Sequence, residues 1–154
     1  MVHIETARDM LEAVEKALPA EVAVFAAAVA DWRVAEPNSH KLKKGDQLPK
    51  LALTENPDIL ATIASRKSGR PALVIGFAAE TEHVIENAKL KLARKHCDWI
   101  LANDVSDGTG IMGGESNRIH LVTADGVETW PMQPKNEVAR MLVSRIAAAL
   151  ARRA

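Results

Sequence analysis

The chain has 154 residues, of which 47% are hydrophobic and 26% are charged, and its 20 Lys and Arg residues balance 20 Asp and Glu residues. This composition is ordinary for one globular domain with a substantial core, and zero net charge excludes a general field for a polyanion such as DNA. A single cysteine excludes an internal disulfide and favours a cytoplasmic protein, and no apolar stretch is long enough to span a bilayer.

The N-terminal elements predict a helix followed by a buried strand. Residues 2–5 alternate like the tail of a strand, and Thr6 is expected to cap a helix over 7–18. Residues 22–30 are wholly apolar, which predicts a central strand of a parallel sheet, buried on both faces. Ligands bind beyond the carboxyl ends of such strands, so Asp31 is the first charged group that a ligand would meet. A strand packed under a helix, with Asp31 capping a turn, explains the same residues.

The next segment predicts a flap and a second helix. Residues 36–50 are rich in lysine and proline, which is typical of a long flap over a site, and a solvated surface loop fits them equally well. Residues 51–53 predict a short strand. Asn56 and Pro57 then predict a sharp helix start, with Asn56 as the cap and Pro57 at the first helical position. By itself this start indicates a structural role.

A second strand and helix follow. Residues 72–77 predict another buried strand, and Thr81 is expected to cap a helix over 82–96. Lys91 and Lys95 are four residues apart and lie on the apolar side of that helix. Attraction to the helix dipole explains cations in a last turn, but it does not explain their place on the apolar side.

The remaining elements complete the predicted fold. Residues 99–102 predict a third buried strand, and the glycine-rich stretch 107–114 predicts a flexible loop without the Gly-Lys-Ser/Thr ending of a P-loop. Alternation over 119–130 predicts a β-hairpin, and 135–150 predict an amphipathic helix. The whole chain, 1–154, is thus expected to be one α/β domain with three Rossmann-like layers, a mainly parallel sheet and a C-terminal β-hairpin.

The chemistry-bearing residues indicate a phosphate ligand. The histidines lie in separate elements and Cys97 begins a predicted buried strand, so the sequence indicates neither a pair of metal ligands nor an activated thiol. Asp31 and Asp104 stand at strand ends, and the helix start at Asn56 can meet an anion. The lysines that can approach the same edge are Lys41, Lys43, Lys44, Lys91 and Lys95. This set predicts that a nucleoside triphosphate binds with Mg²⁺, and it leaves open whether that ligand is CTP or ATP.

Several short motifs in order carry a resemblance to a known family. They are Ala-Ala-Ala-Val-Ala-Asp-Trp (26–32), Lys-Leu-Lys-Lys (41–44), Asn-Pro-Asp-Ile-Leu (56–60), Gly-Phe-Ala-Ala-Glu-Thr (76–81), Lys-x-x-x-Lys (91–95) and Ala-Asn-Asp-Val (102–105). Over nearly its whole length the chain resembles phosphopantothenate–cysteine ligases, the synthetase half of the bacterial bifunctional coenzyme A biosynthesis proteins.

The resemblance implies a two-step ligation. The carboxylate of 4′-phosphopantothenate attacks the α-phosphate of CTP with Mg²⁺, which gives an acyl-cytidylate and pyrophosphate, and the amine of L-cysteine then displaces CMP to form an amide. The resemblance also implies a homodimer, for which the 119–130 hairpin offers an edge strand as a contact. A flavin-dependent decarboxylase domain is implied upstream, and FMN would belong to that domain.

The resemblance also carries roles to matching positions. Lys41 matches the flap lysine that closes over the reaction centre, which makes it the predicted catalytic residue. Asp31 matches the aspartate near the phosphates and the cation, which makes it the predicted metal contact. The other nucleotide contacts implied in this way are Phe25, Ala26, Ala27, Pro57, Asp58, Ile59, Leu60, Phe77, Lys91 and Lys95. The implied role of 57–60 replaces the purely structural interpretation of that helix start.

Two other functions stay open. One is a non-catalytic module that holds a nucleotide or a flavin; the other is a dinucleotide dehydrogenase domain, although no Gly-x-Gly-x-x-Gly turn follows the first visible strand. The ligases begin with a strand, a glycine-rich turn and an asparagine-bearing stretch that this chain does not match. We therefore expect the synthetase domain to be truncated at its N-terminus and this polypeptide alone to ligate poorly or not at all, which an activity assay checks.

Overall fold

A computed structural model of the chain describes residues 1–36, 50–106 and 114–153. They form two compact units, a small unit of Met1–Lys16 and Ala28–Ile59 and a large unit of Ala17–Ala27 and Leu60–Ala154. The count of one domain over 1–154 stays a prediction. Most of the predicted flap, with Lys41, Lys43 and Lys44, and most of the glycine-rich loop lie outside the described residues.

The described elements are mostly those expected from the sequence. The helices are α1 (Ala7–Lys16), α2 (Ile59–Ala64), α3 (Val84–Lys95) and α4 (Lys135–Ala151). The strands are β1 (Val22–Phe25), β2 (Trp32–Val34), β3 (Leu53–Glu55), β4 (Leu73–Glu80), β5 (Trp99–Asp104), β6 (Ser116–Asn117), β7 (His120–Thr123), β8 (Gly126–Thr129) and β9 (Gln133–Pro134). Among the described helices, none combines the length and the apolar character needed to cross a membrane.

The large unit is built on a five-stranded sheet with the order β1-β4-β5-β7-β8. β1, β4 and β5 are parallel, whereas β7 and β8 form the predicted antiparallel hairpin beside β5. Parallel neighbours need a crossover connection, and α3 provides it between β4 and β5. The predicted α/β fold with a C-terminal hairpin is therefore confirmed.

Side chains of the sheet alternate between two cores, so the large unit has three layers. The core beneath α3 and α2 includes Ala64, Val74, Ala78, Ala88, Ile100 and Ala102. The core beneath α4 includes Leu73, Ile75, Leu101, Trp130, Val138 and Leu142. Burial of these two apolar faces is the main force that holds the helices on the sheet.

The small unit contains α1 and the antiparallel pair β2–β3. The start of α1 is capped reciprocally: the Asp9 N–H donates to Thr6 Oγ1 at 3.1 Å, and the Thr6 N–H donates to Asp9 Oδ2 at 2.9 Å. The hydrogen bond from the Thr6 side chain lowers the pKa of Asp9. In the strand pair, Trp32 stands opposite Glu55. The cap predicted at Thr6 is confirmed.

The prediction of a long central strand over 22–30, buried on both faces, is wrong. β1 ends at Phe25 and stands at one end of the strand order, and Val24 is 44% exposed. Residues 26–30 are exposed and lie outside any strand. Most of them are alanines, and exposing an alanine methyl group to water costs little free energy because its apolar area is small. An apolar run of this kind therefore does not specify burial.

Three local predictions also fail. Residues 2–5 form no strand. α2 begins at Ile59 rather than directly after Asn56, whose side chain bonds to other backbone groups. α3 begins after His83, which has a left-handed backbone (φ 47°, ψ 38°) and makes no side-chain cap, so Thr81 is not the cap residue. Polar residues near a helix start have several competing partners, and the sequence alone does not select among them.

Candidate functional site

The end of β1 meets β4 and α2 around a glycine. Phe25 pairs with Gly76 across the parallel strands and packs, half-buried, on the core beneath α3. Leu60 of α2 packs on the same core, and a Cβ built on Gly76 would lie 2.5 Å from Leu60 Cδ2. The missing side chain at position 76 thus leaves the room that Leu60 fills. Ala26 and Ala27 follow the strand and are exposed.

Phe77 lies on the other face of the same strand. Because side chains alternate along β4, the Phe77 ring packs against the core beneath α4, whereas Leu60 packs against the core beneath α3. The two predicted contact residues are therefore separated by the sheet. A ligand that meets both would reach Phe77 through its backbone or its partly exposed edge.

Asp31 and Asn56 are joined in the small unit. The Asn56 backbone N–H donates to the Asp31 carbonyl at 2.8 Å, and Asn56 Nδ2 donates to the carbonyls of Ala30 at 2.8 Å and Trp32 at 3.4 Å. Arg33 Nη1 donates to Asn56 Oδ1 at 3.5 Å. The Asp31 side chain is exposed and makes no hydrogen bond or ion pair with a described residue.

The segment after Asn56 leads into α2. Pro57 is half-buried, Asp58 is exposed, and Ile59, the first residue of α2, is 5% exposed. Pro57 and the exposed Asp58 thus precede the first buried side chain of α2. The small unit thus holds Asp31 and this segment together through Asn56.

Lys91 and Lys95 lie on α3, and both are half-buried. α3 runs back from the carboxyl end of β4 to the amino end of β5, and Lys91 is about 10 Å along the helix from Val84. Lys95 precedes His96, whose carbonyl accepts a hydrogen bond from Arg70 just before β4. The last turn of α3 therefore lies beside the amino ends of the strands, so the expectation that Lys95 approaches the carboxyl-end edge of the sheet is wrong. The nucleotide role of the two lysines stays a prediction.

Two carboxylates mark the carboxyl ends of β4 and β5. Glu80 and Asp104 stand opposite each other in the strand register, and Asn87 Nδ2 donates to Glu80 Oε2 at 3.2 Å. Hydrogen bonds from Ser106, first from its side chain and then from its backbone, lower the pKa of Asp104. The predicted position of Asp104 at a strand end is confirmed.

His120 begins β7 near the same end of the sheet. Its Nδ1 lies 2.9 Å from Thr129 Oγ1. Burial and then the charge of Arg118 lower the pKa of His120, and the opposite charge of Asp104 partly offsets them. The sequence did not single out this residue, because a histidine inside an alternating strand has no signal of its own.

The described residues contain neither a preformed metal cage nor an activated thiol. Over 1–36, 50–106 and 114–153, no three His, Cys, Asp or Glu side chains are placed to hold a metal ion together. Cys97 is 8% exposed, and burial raises the pKa of its thiol to about 11. A cation at this site would therefore depend on few protein ligands.

Comparison with known families decides the class of the protein. The family described as DNA/pantothenate metabolism flavoprotein C-terminal domain (DFP) matches residues 1–150. The chain belongs to the DFP family. The matched residues span the small unit and nearly all of the large unit. They include every described helix and strand except the last residue of α4.

Relatives and a solved structure agree with this assignment. The DFP chain is 39% identical over 150 residues to the coenzyme A biosynthesis bifunctional protein CoaBC of Escherichia coli K12, covering 94% of this chain and 36% of that protein. It is 37% identical over 146 residues to CoaBC of Haemophilus influenzae, with coverages of 94% and 36%. The crystal structure of the C-terminal domain of CoaBC superposes with a TM-score of 0.72 at 34% identity, covering 97% of this chain and 67% of that one.

These matches confirm the resemblance that the motifs indicated. The DFP chain spans about a third of the length of these two curated CoaBC relatives, 36% in each case. The roles of Phe25, Asp31, Lys41 and the other predicted site residues stay predictions. The sequence had assigned Asn56 to a helix cap and had given Gly76 no role, and only the contacts of the folded chain reveal what these two residues do.

Proposed function

We propose that this chain is the nucleotide-binding part of a CTP-dependent phosphopantothenate–cysteine ligase of coenzyme A biosynthesis. The observation that carries the proposal is the alignment with CoaBC, a protein named for coenzyme A biosynthesis, at 39% identity over 94% of this chain. The solved C-terminal domain of CoaBC has the same fold and supports the assignment to that half.

The reaction needs an activated carboxylate, because a free carboxylate is a poor acyl donor. In the proposed first step, the carboxylate oxygen of 4′-phosphopantothenate attacks the α-phosphorus of CTP, and pyrophosphate leaves. In the second step, the amine of L-cysteine attacks the acyl carbon, CMP leaves with the former carboxylate oxygen, and the amine loses a proton. Charge neutralisation around the triphosphate is the main task of the protein in the first step.

The proposed roles come from the family resemblance, and the described residues support some of them. Ala26 and Ala27 are exposed after β1, and their small side chains leave room for a nucleotide. Asp31 offers a carboxylate without a partner among the described residues, which fits Mg²⁺, a cation usually held by one or two carboxylates together with phosphate oxygens and water. When bound, Mg²⁺ neutralises phosphate charge. Lys41, Lys91 and Lys95 are proposed to supply further positive charge.

The assembly is also part of the proposal. We expect a homodimer, with the outer strand of the hairpin, β8, offering an edge for pairing. A decarboxylase domain upstream, a cytoplasmic location and the substrates 4′-phosphopantothenate and L-cysteine follow from the likeness to CoaBC. FMN belongs in this proposal only to the decarboxylase domain.

Calorimetric titration tests the nucleotide assignment directly. We expect CTP to bind this chain more tightly than ATP, and Mg²⁺ to strengthen the binding of CTP. Absence of binding for both nucleotides, with the chain folded by circular dichroism, would refute the proposed function. Tighter binding of ATP would instead overturn the choice of base and leave the nucleotide site intact.

A substitution at Lys41 tests whether the flap lysine acts in catalysis or only in nucleotide binding. In a form of the protein that turns over, Lys41→Met is expected to reduce pyrophosphate release much more than it reduces CTP affinity, because a flap lysine acts mainly on the transition state. Lys67→Met, at an exposed lysine outside the site, is the matched control. Equal losses of turnover and CTP affinity would show that Lys41 acts in binding alone.

A flavin is the second candidate ligand, because the description of the DFP family contains the word flavoprotein. Titration with FMN gives a distinct result, since a bound flavin changes its absorption and fluorescence. Saturable binding of FMN to this chain alone would favour the flavin-binding alternative. We expect none.

A further inference from the structure

We infer that Asn56, supported by Arg33, is a positioning residue that fixes the Asp31-bearing turn for the cation and the phosphates. This inference rests on the proposed function, because it takes Asp31 as the cation contact. It goes beyond that function in assigning a role to two residues that do not themselves meet the ligand.

The carbonyl groups around Asp31 are held from one side by a single residue. Asn56 Nδ2 donates to the Ala30 carbonyl at 2.8 Å and to the Trp32 carbonyl at 3.4 Å. The Asn56 backbone N–H donates to the Asp31 carbonyl at 2.8 Å. Three successive carbonyls are thus bound to Asn56, and the backbone of Asp31 is fixed on both sides.

Arg33 completes the arrangement by orienting the amide of Asn56. Its Nη1 donates to the Glu55 carbonyl and, at 3.5 Å, to Asn56 Oδ1. An asparagine amide has one oxygen that accepts and one nitrogen that donates twice. With the oxygen facing a guanidinium, the nitrogen must face the carbonyls. Arg33 therefore selects the orientation in which Asn56 holds the turn.

This bonding pattern is the opposite of a helix cap. A cap side chain accepts hydrogen bonds from free N–H groups of the first helical turn, whereas Asn56 Nδ2 donates to the carbonyls of Ala30 and Trp32. α2 begins later, at Ile59. Asn56 is therefore committed to the Asp31 turn rather than to the helix.

The consequence for the site is a carboxylate whose backbone is fixed and whose oxygens are available. The Asp31 side chain is exposed and has no partner among the described residues. A ligand residue whose backbone is already fixed loses less entropy when the cation arrives, which raises affinity without a new contact. Asn56 also links this turn to Pro57 and Asp58, which are proposed nucleotide contacts.

A double-mutant cycle tests whether Asn56 acts through Asp31. CTP affinity is measured by calorimetry with Mg²⁺ and with EDTA for wild type, Asp31→Asn, Asn56→Leu and the double variant. We expect each single variant to lose about 10-fold of the Mg²⁺-dependent affinity, as is typical for groups that orient metal contacts, while affinity in EDTA changes little. In the Asp31→Asn background, Asn56→Leu should have no further effect.

Control variants separate positioning from general loss of structure. Asn87→Leu removes a side-chain amide that also donates twice, to Glu80 Oε2 and to the Glu82 carbonyl, and it should leave Mg²⁺-dependent CTP affinity unchanged. Asn56→Asp keeps an acceptor for Arg33 but loses both donations. It should therefore lose the same Mg²⁺-dependent affinity, and it keeps the test valid if Asn56→Leu folds poorly. Hydrogen exchange of residues 28–34 should accelerate in both Asn56 variants.

The outcomes distinguish this inference from the proposed function. If the wild-type chain binds no nucleotide, the proposed function fails, and the role of Asn56 towards a ligand fails with it. If the wild type binds CTP with Mg²⁺ but the losses of Asp31→Asn and Asn56→Leu add, Asn56 does not act through Asp31 and the inference alone is overturned. A loss of affinity in EDTA equal to that in Mg²⁺ would likewise overturn the inference alone.

Discussion

Gly76 and Leu60 occupy one space: a Cβ built on Gly76 would lie 2.5 Å from Leu60 Cδ2 and 3.0 Å from Ile100 Cδ1. Leu60 is one of the proposed nucleotide contacts, and Gly76 pairs with Phe25 at the end of β1. The glycine therefore sets how closely α2 approaches the sheet at the site. A side chain here would have to displace Leu60, because Ile100 is fully buried.

Gly76→Ala should lower the free energy of unfolding by about 1–3 kcal/mol, the usual cost of overpacking a core. Urea denaturation followed by circular dichroism measures this cost. CTP affinity should also fall, because Leu60 is moved. In a Leu60→Ala background the same substitution should cost much less, since the space is then free. An equal cost in both backgrounds would show that Leu60 is not what the alanine meets.

Arg70 connects four parts of the large unit. Its Nε donates to the Ala64 carbonyl at 2.7 Å, and its Nη2 donates to the His96 carbonyl at 3.3 Å and to Asp98 Oδ2 at 2.9 Å. The same Asp98 oxygen accepts from the Val74 N–H at 2.7 Å. The guanidinium thereby ties the ends of α2 and α3 to the starts of β4 and β5.

Arg70→Lys should destabilise the fold by about 2–3 kcal/mol, because one ammonium cannot replace a planar fork and leaves the half-buried Asp98 poorly satisfied. Thermal and urea unfolding measure the loss. Arg140→Lys is the matched control, since its ion pair with Glu137 is solvent-exposed and contributes about 0–1 kcal/mol. Similar losses in the two variants would contradict the role given to Arg70.

Cys97 should react with thiol reagents only when the chain opens. Burial raises the pKa of its thiol to about 11, so at pH 8 about one molecule in a thousand carries the reactive thiolate. We expect slow labelling by a disulfide reagent, accelerated by urea in step with unfolding. A control that carries Cys97→Ser and Ala124→Cys presents a thiol in the exposed turn before β8 and should label quickly. Fast labelling of native wild type would contradict the burial of Cys97.

Sequence patterns predicted the helices and strands better than they predicted which residues are buried or hydrogen-bonded. Alternation and helical spacing found the hairpin and α4 because each pattern has a single periodicity to satisfy. The same reasoning failed for 22–30, since alanine tolerates water and a core alike. It also failed at Asn56, where a cap signal competes with carbonyl groups that come from residues 30–32, far away in sequence.

Site prediction had a different limit. The positions of Asp31 and 57–60 came from motifs of a known family, and no local pattern explains why those two segments should meet. Their link depends on Asn56 and on the register of β2 against β3, which places Trp32 opposite Glu55. Gly76 was invisible for a related reason, because the absence of a side chain matters only beside the particular leucine that fills the gap.

His120 predicts how stability changes with pH. In the folded chain its pKa lies below the ordinary value of 6.5, because burial, and then the charge of Arg118, disfavours the imidazolium. The unfolded chain therefore binds this proton more readily than the folded chain. Stability from this group is fully present above about pH 6.5 and is lost as the pH falls through the folded pKa.

Urea denaturation at a series of pH values between about 8 and 5 measures this loss. His120→Asn keeps a polar atom near the position of Nδ1 for Thr129, and it removes the titrating ring. We expect the variant to show a shallower fall in the free energy of unfolding below about pH 6.5 than the wild type. His3→Asn, at an exposed histidine of the small unit, is the matched control for the substitution itself. An unchanged slope in His120→Asn would assign the acid sensitivity to other groups, because removal of the depressed titration must flatten the curve.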